Sequence, residues 1–233
     1  MRNESFSIYH LCIKRRVQKE EAKLLTQFKE ITDITGKEIL KNKSFERLGR
    51  IGVVVFYMLQ ACWEFFRDIF TLWIDEGYHS AYVLKRALVE YYIELCFLLK
   101  GDTKEKAEEY YKAWRENRSP FCNSKKYNTV KKRAKAVGLL KLYETSYKSL
   151  CSFIHADFRG SIIARRTHKF IQDKPKFLLF TMEQYLDILE TISEKLKINF
   201  SEKLKRLLKE RLEYLREYIS NHYKESELVR PDI

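Results

Sequence analysis

The segment from Phe45 to Asp75, which includes VVVFYMLQACWEFFRDIFTLWI, is the most apolar part of the chain and leaves the fewest folding options. Val53, Val54 and Val55 alone would suit a strand, but the apolar pattern continues for more than about 20 residues, too long for an ordinary strand. A central helix follows from that length. Next comes Gly77 to Leu99, GYHSAYVLKRALVEYYIELCFLL, apolar nearly all round yet carrying Arg86, Glu90 and Glu94. The break Glu76-Gly77-Tyr78-His79-Ser80 between them puts Gly77 where a helix ends left-handed and Ser80 at an N-cap. Two apolar helices joined by a short turn make a hairpin, and the rest of the chain has to cover it.

At 233 residues, with seven glycines and three prolines, the chain has too few turn formers for a many-stranded protein. It is rich in Leu, Lys and Glu, all good helix formers. The expected fold is all-α, a single domain over 1–233 with about six to eight helices in one bundle. A formal charge of +13 draws the surface toward polyanions, with RNA or DNA favoured over acidic protein or anionic lipid. The five cysteines, Cys12, Cys62, Cys96, Cys122 and Cys151, stand singly with no metal-binding spacing, as free thiols do in a reducing cytoplasm. The first residues lack an apolar signal core, and the run Ile51 to Trp63 falls short of the roughly 20 residues a bilayer span needs. The expectation is a cytoplasmic protein with no membrane partner.

Around the hairpin, Leu24, Leu25, Phe28 and Ile31 recur at helical spacing between Arg16 and Leu40, with Gly36 expected to fray or bend that helix. Ser44 is a candidate N-cap for the apolar helix. Asp102-Thr103-Lys104-Glu105 has the side chains of a capping box, so a helix should start there and run to about Trp114. Pro120 closes a loop, and SKKYNTVKKRAKAVG then brings Lys125, Lys126, Lys131, Lys132, Arg133 and Lys135, most of them on one broad helix face, with Tyr127 nearby. That face suits phosphate contacts and one stacked base, although charge runs are commonly only solvated surface. Leu139 to Ile154 form a helix on whose inner face Tyr147, Cys151 and His155 fall. Arg165 and Arg166 start a second basic patch. Pro175 marks a loop up to Phe180, Thr181 caps the next helix, and Ser201 to Tyr223 are a last amphipathic helix before a frayed 224–233 tail.

Phosphate-cradling glycine loops, nucleophile elbows and zinc or calcium motifs are missing from the sequence, so it calls for no cofactor and no metal. What remains is Arg86 and Glu90 on one helix and His155 at the end of another. Packed side by side, they supply a general base or acid, a cation for phosphorane-like charge and a carboxylate to orient either. Asp157 and Arg159 could support such a site. Equally, Arg86 and Glu90 could form a buried pair that bonds Tyr147 and only fixes helix packing.

Gly77, Ala81, Arg86 and Glu90, followed by Tyr147, Ser149 or Ser152 and His155, resemble an uncharacterised all-helical microbial family, over roughly Phe65 to Ser161. Its recurrent signatures are an Arg-x-x-x-Glu helix and a Tyr-to-His helix. More distantly, the arrangement resembles the HEPN helical domains of toxin and antiviral systems, whose signature is Arg, a few residues, then His. That resemblance implies RNA cleavage by a homodimer and a neutralising protein partner. In this chain Lys148 stands where the signature has arginine, a point charge in place of a planar fork. The expected function is a HEPN-like, RNA-directed protein of a defence or toxin-type system, with His155, Arg86, Glu90 and Lys148 as a metal-independent endoribonuclease site. The rival expectation is a non-catalytic helical interaction module with a basic surface.

Overall fold

The computed structural model describes residues 19–74, 78–151 and 174–222, whose regular structure is helical with no strand among them. α1 (Lys19–Lys41) leads through a 3-10 turn (Lys43–Leu48) into α2 (Gly49–Ile74), which pairs with α3 (Tyr78–Leu98) as the hairpin. α4 (Thr103–Arg115) and α5 (Val130–Val137) follow. α6 (140–151) comes next, then α7 (Lys174–Leu196) and α8 (Glu202–His222). The expected all-α bundle is what the chain forms.

α2 packs against α1, α3, α4 and α7, which explains its composition: Val55, Leu59, Cys62, Phe66 and Ile69 are all at 0% exposure. Phe66 stacks on Tyr185 of α7 at 4.4 Å, and Phe28 of α1 on Phe70 at 3.8 Å. By length and composition alone Lys43–Leu72 could also cross a membrane, with 33% of the apolar window buried in the bundle. The apolar window is thus longer than the run Ile51 to Trp63, and a core helix of a bundle passes the same test of length and composition.

Caps explain most of the boundaries. Asp102 accepts a hydrogen bond from the Glu105 amide at 3.0 Å, as the capping-box spacing predicts. Ser201 starts α8, its hydroxyl accepting from the Leu204 amide at 3.1 Å while its own amide donates to Glu38 of α1 at 2.8 Å. Three expected starts are displaced. Asn42, rather than Ser44, caps the 3-10 turn, and α3 begins at Tyr78 with Ser80 inside it. α7 begins at Lys174, so Pro175 sits in its first turn, where its missing N–H costs nothing. Thr181 lies within α7, its hydroxyl turned back to the Phe177 carbonyl at 2.7 Å.

Gly36 does not break α1, which continues to Lys41. It gives room to Trp63 of α2, whose indole N–H donates to the Thr32 carbonyl at 2.9 Å. A Cβ at this position would lie 2.6 Å from Trp63 Cζ2. Gly36→Ala should therefore lower stability by about 1–3 kcal/mol in a denaturant titration, despite the roughly 1 kcal/mol that alanine adds to an open helix. Unchanged or raised stability would mean that the indole yields freely.

Candidate functional site

The charges of α3 divide between two polar clusters. Arg86 and Glu90 face α6, and Glu94 faces α4 and α5. α6 is irregular there: Leu140–Leu142 and Lys148–Cys151 are α-helical, but Tyr143–Tyr147 form a π turn. Such turns are uncommon and concentrate at functional sites. This one brings Tyr147 against α3, stacked on Tyr143 at 5.1 Å. Val89 and Ile93 of α3 pack with Ala134 and Leu150 to form the apolar floor beneath it.

Arg86 Nη2 donates to Tyr147 Oη at 2.5 Å, and Tyr147 donates in turn to Glu90 Oε2 at 3.0 Å. The guanidinium also lies over the Tyr147 ring, 4.7 Å from its centroid, and 3.5 Å from the Glu90 carboxylate. Tyr147 is buried, whereas the side chains of Arg86 and Glu90 keep 26% and 33% exposure. The cluster therefore has a wet edge. Burial pushes the Tyr147 phenol up, with the Glu90 charge adding to it, so the hydroxyl stays protonated at neutral pH. Burial opposes the Arg86 charge, but Tyr147 and Cys151 beside it more than offset that, and its pKa rises. Arg86 Nε is buried and has no hydrogen-bond partner among the described residues.

The second cluster is dry. Glu94 takes Arg133 Nε at 2.7 Å, with side-chain exposures of 9% and 6%, and accepts from the Tyr110 hydroxyl. Arg133 also donates to the Tyr127 carbonyl at 2.6 Å. Burial pushes the Glu94 carboxyl up, while Arg133 and Tyr110 pull it down.

Of the residues singled out in the sequence, Arg86, Glu90 and Tyr147 meet. Lys148 is exposed, and no hydrogen bond or ion pair joins it to them. His155, Asp157, Arg159, Arg165 and Arg166 lie outside the described residues. The proposed basic face is corrected in two respects. Arg133 is a core residue, 5% exposed, and Lys125 and Lys126 lie in turns ahead of α5, so only Lys131, Lys132 and Lys135 share that helix. Lys131 pairs with Glu144 at 3.7 Å, and Lys132 folds back on Asn128 at 2.9 Å. Tyr127 packs on Phe97 at 4.8 Å. The sequence did hold a signal for Arg133, since Val130, Ala134 and Val137 set an apolar stripe that Arg133 borders.

Lys85, beside the site on α3, was not singled out. It is buried, with Nζ 3.3 Å from the Phe177 carbonyl and 4.6 Å from that ring's centroid. Burial lowers its pKa to about 7. Because the folded value lies below the unfolded one, the penalty is full below pH 7 and fades as pH rises toward the unfolded value of 10.5. Lys85→Met should add about 2–4 kcal/mol of stability at pH 6, with the gain shrinking toward pH 10. Thr181 and the helix ladder keep the Phe177 carbonyl satisfied. A loss of stability at pH 6 would contradict this reading.

Residues 52–119 match the model of a family of unknown function (DUF5677). The matched segment covers most of α2, all of α3 and α4, and both Arg86 and Glu90; it ends before Tyr147. It fits the resemblance to an uncharacterised helical family and does not carry the HEPN resemblance. No curated protein and no solved structure matches the chain.

Proposed function

From a central hairpin shared with a family of unknown function, we propose that this chain is a HEPN-like, RNA-directed protein of a defence or toxin-type system, acting as a metal-independent endoribonuclease in the cytoplasm. The observation that carries the reading is the wet-edged cluster of Arg86, Glu90 and Tyr147 at a π turn, with the Arg86 Nε unpartnered among the described residues. A guanidinium 26% exposed and anchored by one Nη is suited to meeting a phosphate with its other Nη. His155 follows Cys151 by one helical turn in sequence, and Cys151 is an Arg86 neighbour.

In this reading His155 takes the proton of a ribose 2′-hydroxyl, the 2′-oxygen attacks phosphorus, and the bond to the 5′-oxygen breaks. The departing oxygen takes its proton from solvent at the wet edge of the cluster, while Tyr147 keeps its own proton on Glu90. Arg86 stabilises the charge on the non-bridging oxygens, and Glu90 orients Tyr147. The resemblance to HEPN domains supports a homodimer and a neutralising protein partner, and the net charge of +13 supports an RNA partner.

The test is purified full-length protein with single-stranded RNA at low salt in a chelator. The expected products end in 2′,3′-cyclic phosphate. Protein that neither binds nor cuts RNA would overturn the reading. The rival, a non-catalytic interaction module, is favoured by one observation: Tyr147 already links Arg86 to Glu90, so the network also serves as packing. It predicts a partner whose capture survives His155→Ala.

A further inference from the structure

Far from sealing itself, the outer face of α2 and α4 leaves large aromatic side chains in water. Trp114 is 63% exposed and Tyr57 52%, and Val53, one turn before Tyr57, is 39% exposed. The rings are ordered against one another. Tyr57 lies 5.3 Å from Trp114 at a 36° tilt, and Trp114 lies 6.0 Å from Tyr111. Arg50 then covers Tyr111, its guanidinium carbon 3.8 Å from the ring centroid. The result is a row of three rings, Tyr111 edge-on to Trp114 at 61°, ending in a cation, with Arg115 one turn after Tyr111 on α4 and also exposed. Glu108 pairs with Arg50 at 3.0 Å and Glu116 with Arg118 at 2.6 Å.

Resting on the RNA-directed reading above, we propose that Tyr57, Trp114, Tyr111 and Arg50 form a stacking platform for single-stranded RNA. Exposed aromatics at this spacing offer the two faces on which unpaired bases stack, and the guanidinium ends the stack as a cation–π and phosphate contact. The apolar edge that a protein partner would use, Val53 beside the rings, is 39% exposed. Charge complementarity instead favours a polyanion, since Arg115 borders the rings, Arg50 meets Glu108 through its Nε alone, and the chain as a whole carries +13. The platform reads no sequence, because every base has a π face.

The probe is fluorescein-labelled 2′-O-methyl oligouridine of about 12 nucleotides, which the proposed cleavage chemistry cannot cut because its 2′-oxygen is blocked. By anisotropy at low salt, Trp114→Ala should weaken binding about tenfold or more. Trp114→Phe should hold within about threefold, and duplex RNA should compete poorly against the single strand. Wild-type affinity in Trp114→Ala would overturn the platform, as would equal competition by duplex. So would a Trp114→Ala protein that loses only self-association in sedimentation. Failure of cleavage with this binding intact would count against the ribonuclease reading alone, so the two fail separately.

Discussion

Arg133→Met should destabilise the protein by about 3–5 kcal/mol at neutral pH, because it strands the Glu94 carboxylate in the core without its counter-charge. The pair is nearly dry, its N···O distance is 2.7 Å, and Tyr110 supplies the other donor to Glu94. In the variant the carboxyl can escape only by taking up a proton, since burial already pushes its pKa up and Arg133 no longer opposes that shift. A carboxyl with a raised folded-state pKa makes the folded state bind the proton more tightly than the unfolded one. Stability then falls as pH rises from the unfolded value through the folded one. The difference between wild type and Arg133→Met should therefore be larger at pH 8 than at pH 5. Replacing both partners, as Arg133→Met with Glu94→Leu, should recover much of the loss, since no charge is left behind. Urea titrations of the three proteins at both pH values check this. A Arg133→Met protein as stable as wild type at pH 8 would mean that the pair is solvated.

The helical hairpin was legible because its cause is local, an apolar run too long for a strand, and so was the start of α4 at Asp102, whose own side chain completes the cap. What could not be read were contacts between distant segments. Gly36 looks like a breaker until Trp63 is laid across it. Pro175 looks like a loop marker until the helix is seen to start one residue earlier. Arg133 sits among lysines and shares their composition, but its neighbours at helical spacing are apolar, and that turns it inward toward Glu94. At the site, the spacing of Arg86 and Glu90 was plain, and Tyr147 was named as a packing partner. The π turn that carries Tyr147 to them leaves no sequence mark, because one extra residue in a turn changes the phase of a helix and not its composition.

The second large effect concerns Arg86. If its guanidinium stabilises charge on the scissile phosphate, Arg86→Gln should lower the cleavage rate by about a hundredfold or more, the scale seen when one preorganised donor is removed. The fold should tolerate the change. Tyr147 keeps Glu90 as its acceptor, the lost ion pair is partly solvated, and the cost should stay within about 1–2 kcal/mol. Arg86→Lys should restore charge without the planar fork and recover the rate only in part. The decisive measurement is the single-turnover cleavage rate of Arg86→Gln on single-stranded RNA in a chelator, taken beside its melting temperature. The expected result is a rate at least about a hundredfold lower with a melting temperature within about 4 °C of wild type. Cleavage at the wild-type rate, or a rate lost only in step with the fold, would contradict it.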